Sequence, residues 1–227
     1  MNERSFEIFH REKFFQREGG LEFCRKAGIE AAKLSFYETS EPLSYYSCSK
    51  QSPQNILIIE NKDTFFDIRQ CMNKGSNRIL GTEFGTVIYG AGKGIWKTFA
   101  DYVNGAENYF LEDNTLFYFG DLDYEGILIY EHLIAQNWNP RTDRVGEKRS
   151  DMARTVDIQL FMPAYEKMLD KALKIGFDNL PDMKEKQNAN IGTAFLKTFN
   201  TVRRSQIEEI LNSGKYIPQE ILNEHDW

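Results

Sequence analysis

The sequence predicts an α/β protein built on a central, mostly parallel sheet of four strands. Short apolar runs alternate with longer amphipathic stretches four times between residues 55 and 174. The apolar runs are continuous, as in strands covered on both faces, and their spacing of about 30 residues is typical of strands that helices connect. With 41% apolar residues, 16 glycines and 6 prolines among 227 positions, the chain can bury a core and lacks the composition of a disordered protein.

The residues before the sheet are predicted to be helical and then rich in turns. A first helix has apolar residues at near-helical spacing and ends at a pair of glycines. These residues are Phe6, Phe9, Phe14, Gly19 and Gly20. A second short helix covers residues 21–27, and the following ETSEPLSYYSCSKQSPQ is interpreted as a connector or an edge hairpin. We therefore divide the chain into an N-terminal segment, 1–52, and an α/β domain, 53–227.

The sheet is predicted from four pairs of a strand and a helix, followed by a last helix. Right-handed crossovers place helices on both faces of such a sheet. The carboxyl ends of its parallel strands share one edge, where ligands bind. The predicted strands are 55–60, 86–90, 115–120 and 156–162, and the predicted helices are 63–75, 94–103, 124–136, 163–174 and 191–212.

Three acidic residues fall on that edge. Glu60 closes the first strand, and Asp121 and Asp123 follow the third. Carboxylates this close repel one another unless a cation lies between them. Mg²⁺ prefers such oxygen ligands, and Mn²⁺ accepts the same ones, so a magnesium site is predicted. The alternative is that Asp121 and Asp123 cap the next helix, which explains one aspartate better than two aspartates and a glutamate.

A glycine-rich loop, GAGKG at 90–94, closes the second strand. It is not a P-loop, because Val87 stands where the first glycine belongs and Gly94 replaces the hydroxyl residue that binds magnesium. The spacing of its glycines also fails the dinucleotide-binding fingerprint. Gly92 and Lys93 remain candidates for approaching a phosphate group. A tight turn between strand and helix is an equally good interpretation.

Composition narrows the function classes. A net charge of −6 argues against binding to nucleic acid by bulk charge. The chain has no apolar stretch long enough to span a bilayer and begins with charged residues instead of a signal peptide, so we expect a cytoplasmic protein without membrane contact. Cys24, Cys48 and Cys71 lack a C-x-x-C spacing and are interpreted as buried free thiols.

Two groups of basic residues are candidates for contact with DNA. Arg203 and Arg204 lie on the predicted last helix. The other group lies in the segment 140–154, for which a solvated loop is the favoured interpretation because acids are interspersed. Its basic residues are Arg141, Arg144, Lys148, Arg149 and Arg154.

The acids and the glycine loop together resemble a known family. ILIIENKDTFF, VIYGAGKG and FYFGDLDYEG resemble the Toprim domain, the metal-binding fold shared by topoisomerases, primases and some nucleases. LIIENKDTFF with YFGDLDYEGILIYEHL resembles the C-terminal domain of JetD, the nuclease subunit of Wadjet anti-plasmid systems, which is related to the topoisomerase VI A subunit. The similarity extends to YETSEPLSYY and, more loosely, to GKYIPQEIL.

The resemblance implies a Toprim-like fold with Glu60, Asp121 and Asp123 as catalytic residues and ligands of one or two Mg²⁺ ions. Gly92 and Lys93 would face the phosphates. DNA and an SMC-like ATPase complex are the implied partners, and related two-fold enzymes suggest a homodimer.

Two functions follow from this resemblance. The first is a DNA nuclease that hydrolyses phosphodiesters with metal-activated water, in which Glu60 is either a ligand or a proton relay. The second is a non-catalytic Toprim module for DNA binding or assembly. The acidic net charge favours this second function. Only about 50 residues precede the sheet, whereas members of the family usually carry a long DNA-binding region there, and this difference also favours the second function.

Overall fold

The computed structural model describes residues 2–29, 40–111, 113–136, 156–184 and 186–227. The helices are α1 Asn2–Phe9, α2 Phe14–Arg17, α3 Gly20–Lys26, α4 Lys62–Asn73, α5 Ile95–Val103, α6 Tyr124–Ala135, α7 Met162–Ile175, α8 Ala194–Lys197 and α9 Thr201–Asn212. The strands are β1 Ser44–Ser47, β2 Asn55–Ile59, β3 Arg78–Ile79, β4 Thr82–Glu83, β5 Thr86–Tyr89, β6 Thr115–Phe119 and β7 Ile158–Leu160. Turns of 3₁₀ helix cover Gly92–Gly94, Phe177–Asn179 and Gln219–Ile221.

The predicted parallel sheet is present and gains a fifth strand. The strand order is β1-β5-β2-β6-β7. The four predicted strands pair in parallel, whereas β1 pairs antiparallel with β5 at one edge. This mixed α/β architecture confirms the predicted fold class and is consistent with a Toprim-like fold. β3 and β4 form a separate two-stranded hairpin.

The extra strand lies in the stretch interpreted as a connector or an edge hairpin. Its four residues face Thr86–Tyr89 in the register Ser44↔Tyr89 to Ser47↔Thr86. The partner strand, β5, is about 40 residues away, so no local turn signal predicts this pairing. Four residues are also too few to show the alternation of apolar and polar residues that is typical of a strand. β1 belongs to the predicted segment 1–52 yet joins the sheet, and the boundary near residue 52 stays a prediction.

Both faces of the central strand are covered. The four residues from Ile56 to Ile59 are fully buried, although successive side chains of a strand point to opposite faces. The chain crosses from β2 to β5 and then in the opposite direction from β5 to β6. Since crossovers between parallel strands are right-handed, α4 and α5 lie on opposite faces. α5 packs against α6. β7 is different, since Gln159 is exposed between two buried neighbours.

Two helical predictions were wrong in their extent. The helix predicted over 191–212 is two helices, α8 and α9, because Asn200 adopts an extended conformation and its side chain accepts a hydrogen bond from the Arg203 N–H as the cap of α9. The first predicted helix also ends early. His10 has a φ of 51°, which no helix interior accommodates, so α1 and α2 are separate.

The strand order places a crevice beside β2. From β2 the chain moves to β5 on one side and then returns to β6 on the other. Loops that leave the carboxyl ends of β2 and β6 therefore diverge to opposite faces, which is the position where ligands bind in open α/β sheets. The fold thus draws attention to the residues that follow Ile59 and Phe119.

Two expectations from composition can be compared with the structure. The cysteines are unpaired, and the expected burial holds for Cys24, whereas Cys48 is exposed and Cys71 is partly exposed. Within the described residues, no helix is both long and apolar enough to cross a membrane.

Substitutions on adjacent positions of β2 test whether both sheet faces are covered. Leu57→Ala and Ile58→Ala remove side chains from opposite faces, and each should lower the free energy of unfolding by about 2–5 kcal/mol. Gln159→Ala on β7 should change it by less than about 0.5 kcal/mol. Urea denaturation measures all three. A tolerated substitution at either position 57 or 58 would mean that one face is open.

Candidate functional site

The register between β2 and β6 brings the predicted acids together. Ile59 lies opposite Phe119, and the Glu60 N–H donates to the Phe119 carbonyl oxygen over 3.0 Å. Glu60 therefore leaves β2 beside Gly120, next to Asp121. Repulsion between the Glu60 and Asp121 carboxylates acts on the pKa of Glu60. The strand register thus brings Glu60 and Asp121 close together although 61 positions separate them in the sequence.

Two glycines make room for the Glu60 side chain. A Cβ at Gly120 would collide with a Glu60 carboxylate oxygen and lie 2.7 Å from the Tyr118 hydroxyl. A Cβ at Gly126, in the first turn of α6, would lie 3.2 Å from the same carboxylate and collide with the Asp121 carbonyl oxygen. The buried Tyr118 hydroxyl donates to Glu60 Oε2 over 2.8 Å. The carboxylate is thus held in a fitted space at the end of the sheet.

The two aspartates have different local roles. Asp123 caps α6, because its Oδ1 accepts from the Gly126 N–H over 2.6 Å, and its Oδ2 accepts from Gln187 Nε2 over 2.7 Å. Asp121 instead accepts the backbone N–H of Gln219 through Oδ1 over 2.8 Å. The capping alternative therefore holds for Asp123 and leaves Asp121 without a capping role.

Burial and mutual repulsion make this site costly to ionise. Burial, followed by repulsion from Asp121, raises the pKa of Glu60 to about 8, against the opposing hydrogen bond from Tyr118. Burial likewise raises the pKa of Asp121 to about 7, opposed by the Gln219 N–H and reinforced by Asp123 and Glu220. Burial also raises the pKa of Tyr118, so its hydroxyl stays protonated and available as a donor.

The donor chemistry of this site fits a hard divalent cation. Three carboxylates lie at the same edge of the sheet, and a bound cation would relieve the repulsion that raises the pKa of Glu60 and Asp121. The side chains do not form a ready ligand cage, since within the described part of the chain no group of three or more His, Cys, Asp or Glu residues is arranged to hold a metal. Both Asp123 oxygens are engaged by N–H groups. Metal ligation by these residues stays a prediction.

The glycine loop lies beside the start of α6. Ala91 and Gly92 have φ values of 52° and 59°, so the loop uses the left-handed conformation that glycine favours. Lys93 Nζ forms an ion pair of 3.0 Å with Glu125, and the two side chains are 56% and 43% exposed. The tight turn is thus present, and it brings Lys93 to the helix that Asp123 caps. Contact of Gly92 and Lys93 with a phosphate stays a prediction.

The basic candidates of the last helix contact protein groups. Arg203 forms ion pairs of 2.7 Å with Glu166 and 2.6 Å with Asp170 on α7. Arg204 donates to the carbonyl oxygens of Leu196 and Phe199, at and after the end of α8. These contacts tie α9 to its neighbours, and contact with DNA stays a prediction for both residues. The basic segment 140–154 lies outside the described residues.

Sequence reasoning missed two glutamines and a tyrosine that surround the acids. Gln219 is fully buried, and Gln187 and Tyr118 contact Asp123 and Glu60 directly. Tyr118 lies in the strand that precedes the aspartates, so its position was a usable signal. Gln219 lies in GKYIPQEIL, which carries the looser part of the resemblance, but nothing there links it to Asp121, 98 residues away. Gln187 had no signal, since it is 64 residues from Asp123.

The five-stranded, mostly parallel sheet with helices on its faces defines a mixed α/β protein, and this architecture is consistent with a Toprim-like fold. Comparison with known proteins gives the family. A family model described as Wadjet protein JetD, C-terminal, matches residues 23–142. This is more than half of the chain and includes Glu60, Asp121 and Asp123. The chain therefore belongs to the JetD C-terminal family, a component of Wadjet systems. No curated protein and no solved structure matches it significantly.

The raised pKa values predict how stability depends on pH. Carboxyl groups of the unfolded chain ionise near pH 4, whereas Glu60 and Asp121 do so near 8 and 7 in the folded protein. The folded state holds more protons in this interval, so the free energy of unfolding should fall as pH rises from about 4 to 8. Thermal unfolding without metal measures this slope, and Mg²⁺ or Mn²⁺ should restore stability at pH 8 more than at pH 5.

The double variant Glu60→Gln/Asp121→Asn should flatten that slope while its amide oxygens still accept from Tyr118 and Gln219. A charge-matched control, Glu208→Gln/Glu209→Gln, changes two exposed residues of α9 and should keep the slope of the wild type. Identical slopes for the wild type and the site variant would contradict the assigned crowding.

The partners of Arg203 predict a contribution to stability. Arg203→Met should lower the free energy of unfolding by about 1 kcal/mol, because two ion pairs to α7 are lost. A double-mutant cycle with Glu166→Gln should show coupling, since both changes remove the same contact. The affinity of the Arg203→Met variant for plasmid DNA should equal that of the wild type. A large loss of DNA affinity at unchanged stability would instead support the DNA-binding interpretation.

Proposed function

We propose that this protein is a magnesium-dependent DNA nuclease that nicks or cuts plasmid DNA as the JetD-type component of a Wadjet system. The observation that carries the proposal is the meeting of Glu60, Asp121 and Asp123 at one sheet edge, with the pKa of the first two raised. Membership of the JetD C-terminal family supports the choice of DNA as substrate and of an SMC-like ATPase complex as partner.

In this proposal Glu60, Asp121 and Asp123 hold the cation, for which Mn²⁺ can substitute. Bound magnesium would neutralise phosphate charge and lower the pKa of a coordinated water, which is the attacking nucleophile in phosphodiester hydrolysis. The protein supplies rigid placement of the acids. Glu60 is held by Tyr118, Asp121 by the Gln219 N–H and Asp123 by the first turn of α6.

The protein's own groups would also orient the DNA and move a proton. Gly92 has no side chain to keep a phosphate away, and the exposed Lys93 could exchange its Glu125 partner for phosphate. Arg203 and Arg204 are weaker candidates because they already have protein partners. With its pKa near 8, Glu60 could also accept a proton near neutral pH instead of serving as a ligand.

A specific observation favours a second candidate, a non-catalytic module that binds DNA or assembles the complex. Both oxygens of Asp123 are committed to hydrogen bonds, and no ligand cage of three such side chains is formed among the residues described. A net charge of −6 also disfavours DNA binding without a partner. In this case the acids serve only the architecture of the strand ends.

Substitution of the aspartates separates the two candidates. Asp121→Ala should abolish metal-dependent nicking of supercoiled plasmid and change stability little, because relief of like-charge crowding offsets the loss of the hydrogen bond from the Gln219 N–H. Asp123→Ala should also abolish nicking but lower the free energy of unfolding by about 1 kcal/mol through loss of a helix cap. Plasmid nicking with Mg²⁺ or Mn²⁺ and thermal unfolding are measured on the same preparations.

Asn200→Ala provides the matched control, since it removes the cap of another helix, α9. It should cost about the same stability as the loss of the Asp123 cap and retain nicking. The assays are repeated with the SMC-like ATPase complex of the same system present. A fully active Asp121→Ala protein would overturn the nuclease assignment, and a wild type inactive even with the complex would favour the non-catalytic module.

A further inference from the structure

We infer that Gln219 and Gln187 are positioning residues that hold the acids in the geometry needed to bind a divalent cation. This inference rests on the proposed function, because it deepens the same site. Both residues lie beyond the region 23–142 that the JetD C-terminal family model matches. The C-terminal part of the chain would thus complete a site whose acids come from the matched region.

Gln219 joins the ends of the two strands that deliver the acids. Its Nε2 donates to the Phe119 carbonyl oxygen over 3.0 Å, and its Oε1 accepts from the Asn61 N–H over 2.8 Å. The side chain is fully buried, so both hydrogen bonds are shielded from water. One amide therefore sets the separation between the loop after β2 and the loop after β6.

The same residue also holds Asp121 directly. The Gln219 backbone N–H donates to Asp121 Oδ1 over 2.8 Å. Its segment is anchored nearby, since Ile217 and Leu122 exchange both backbone hydrogen bonds. The side-chain amide adds two hydrogen bonds that hold this backbone after Ile217. Replacing the amide should therefore loosen the contact with Asp121 even though the N–H itself remains.

Gln187 performs the corresponding task for Asp123. Its Nε2 donates to Asp123 Oδ2 over 2.7 Å, while the cap to Gly126 uses the other oxygen. Among the residues that the structure describes, the buried Gln187 Oε1 atom has no hydrogen-bond partner. The hydrogen bond to Asp123 therefore restrains the Gln187 side chain and the Asp123 carboxylate against each other.

Both glutamines contact groups that carry or flank the acids, which is the relation of an outer shell to metal ligands. Loss of such partners typically weakens metal affinity by about 10–100-fold. The effect is therefore expected in metal binding itself and does not depend on detecting cleavage. A measurement of metal affinity therefore distinguishes residues that position the acids from residues that only stabilise the fold.

The test measures binding of Mn²⁺ to the full chain at pH 8 by calorimetry or by electron paramagnetic resonance of the free ion. Gln219→Met and Gln187→Met keep the side-chain length but remove the amide, and each should weaken Mn²⁺ binding by about tenfold or more. Thermal unfolding is recorded in parallel. If Gln219→Met does not fold, Gln187→Met decides, because it alters a partly exposed loop residue.

Gln54→Met is the matched control at the opposite end of β2. The Gln54 side chain accepts from Thr86 Oγ1 over 2.8 Å and donates to the Gln51 carbonyl oxygen over 2.6 Å. This variant loses a comparable pair of hydrogen bonds away from the acids, so its unfolding midpoint should fall while its Mn²⁺ affinity stays that of the wild type.

The outcomes separate this inference from the proposed function. If the wild type binds Mn²⁺ and both glutamine variants bind it with the same affinity, the inference is wrong and the proposed metal site still stands. If Gln54→Met weakens Mn²⁺ binding as much as the two glutamine variants do, the inference is also wrong, because any loss of stability would then lower the Mn²⁺ affinity. No Mn²⁺ binding by the wild type would overturn both proposals.

Discussion

Parallel pairing between β2 and β6 is the constraint on which the rest of the structure depends. Its register places Ile59 opposite Phe119, so that Glu60 leaves one strand where Gly120 leaves the other. β2 is also the strand at which the chain changes direction across the sheet. A slip of the register by one residue would turn the buried side chains of β2 to the wrong faces and separate the acids.

The site combines features that a stability-optimised protein would avoid. Two carboxyl groups have raised pKa values because burial and repulsion from neighbouring carboxylates disfavour their charge. A buried amide oxygen of Gln187 has no partner among the described residues. Such local costs are typical of functional sites, where the surrounding fold holds unfavourable groups in place. Here the surrounding groups are Tyr118 and Gln219, whose hydrogen bonds restrain Glu60 and Asp121.

Asp123 shows that structural and functional interpretations of one residue need not compete. An aspartate at the start of α6 satisfies the first-turn N–H groups and interacts favourably with the helix dipole. The same position lies at the carboxyl end of β6, where ligands bind in open α/β sheets. Asp121 has no part in the cap and remains the sharper indicator of function. The family match to residues 23–142 includes both aspartates.

The sequence by itself determined the four strands, the helices between them and the position of Glu60 and Asp121 at strand ends, because local periodicity is a property of short stretches. The register of β2 and β6 then brought the two acids together. Only the tertiary structure decided that β1 joins the sheet, that Asn200 divides the last helix, and that Gln187 and Gln219 contact the acids. Their contacts cross 60 or more residues, and a single glutamine leaves no periodic pattern. A hydrogen bond between residues far apart in the sequence depends on which segments the folded chain places side by side. No short stretch of sequence contains that information.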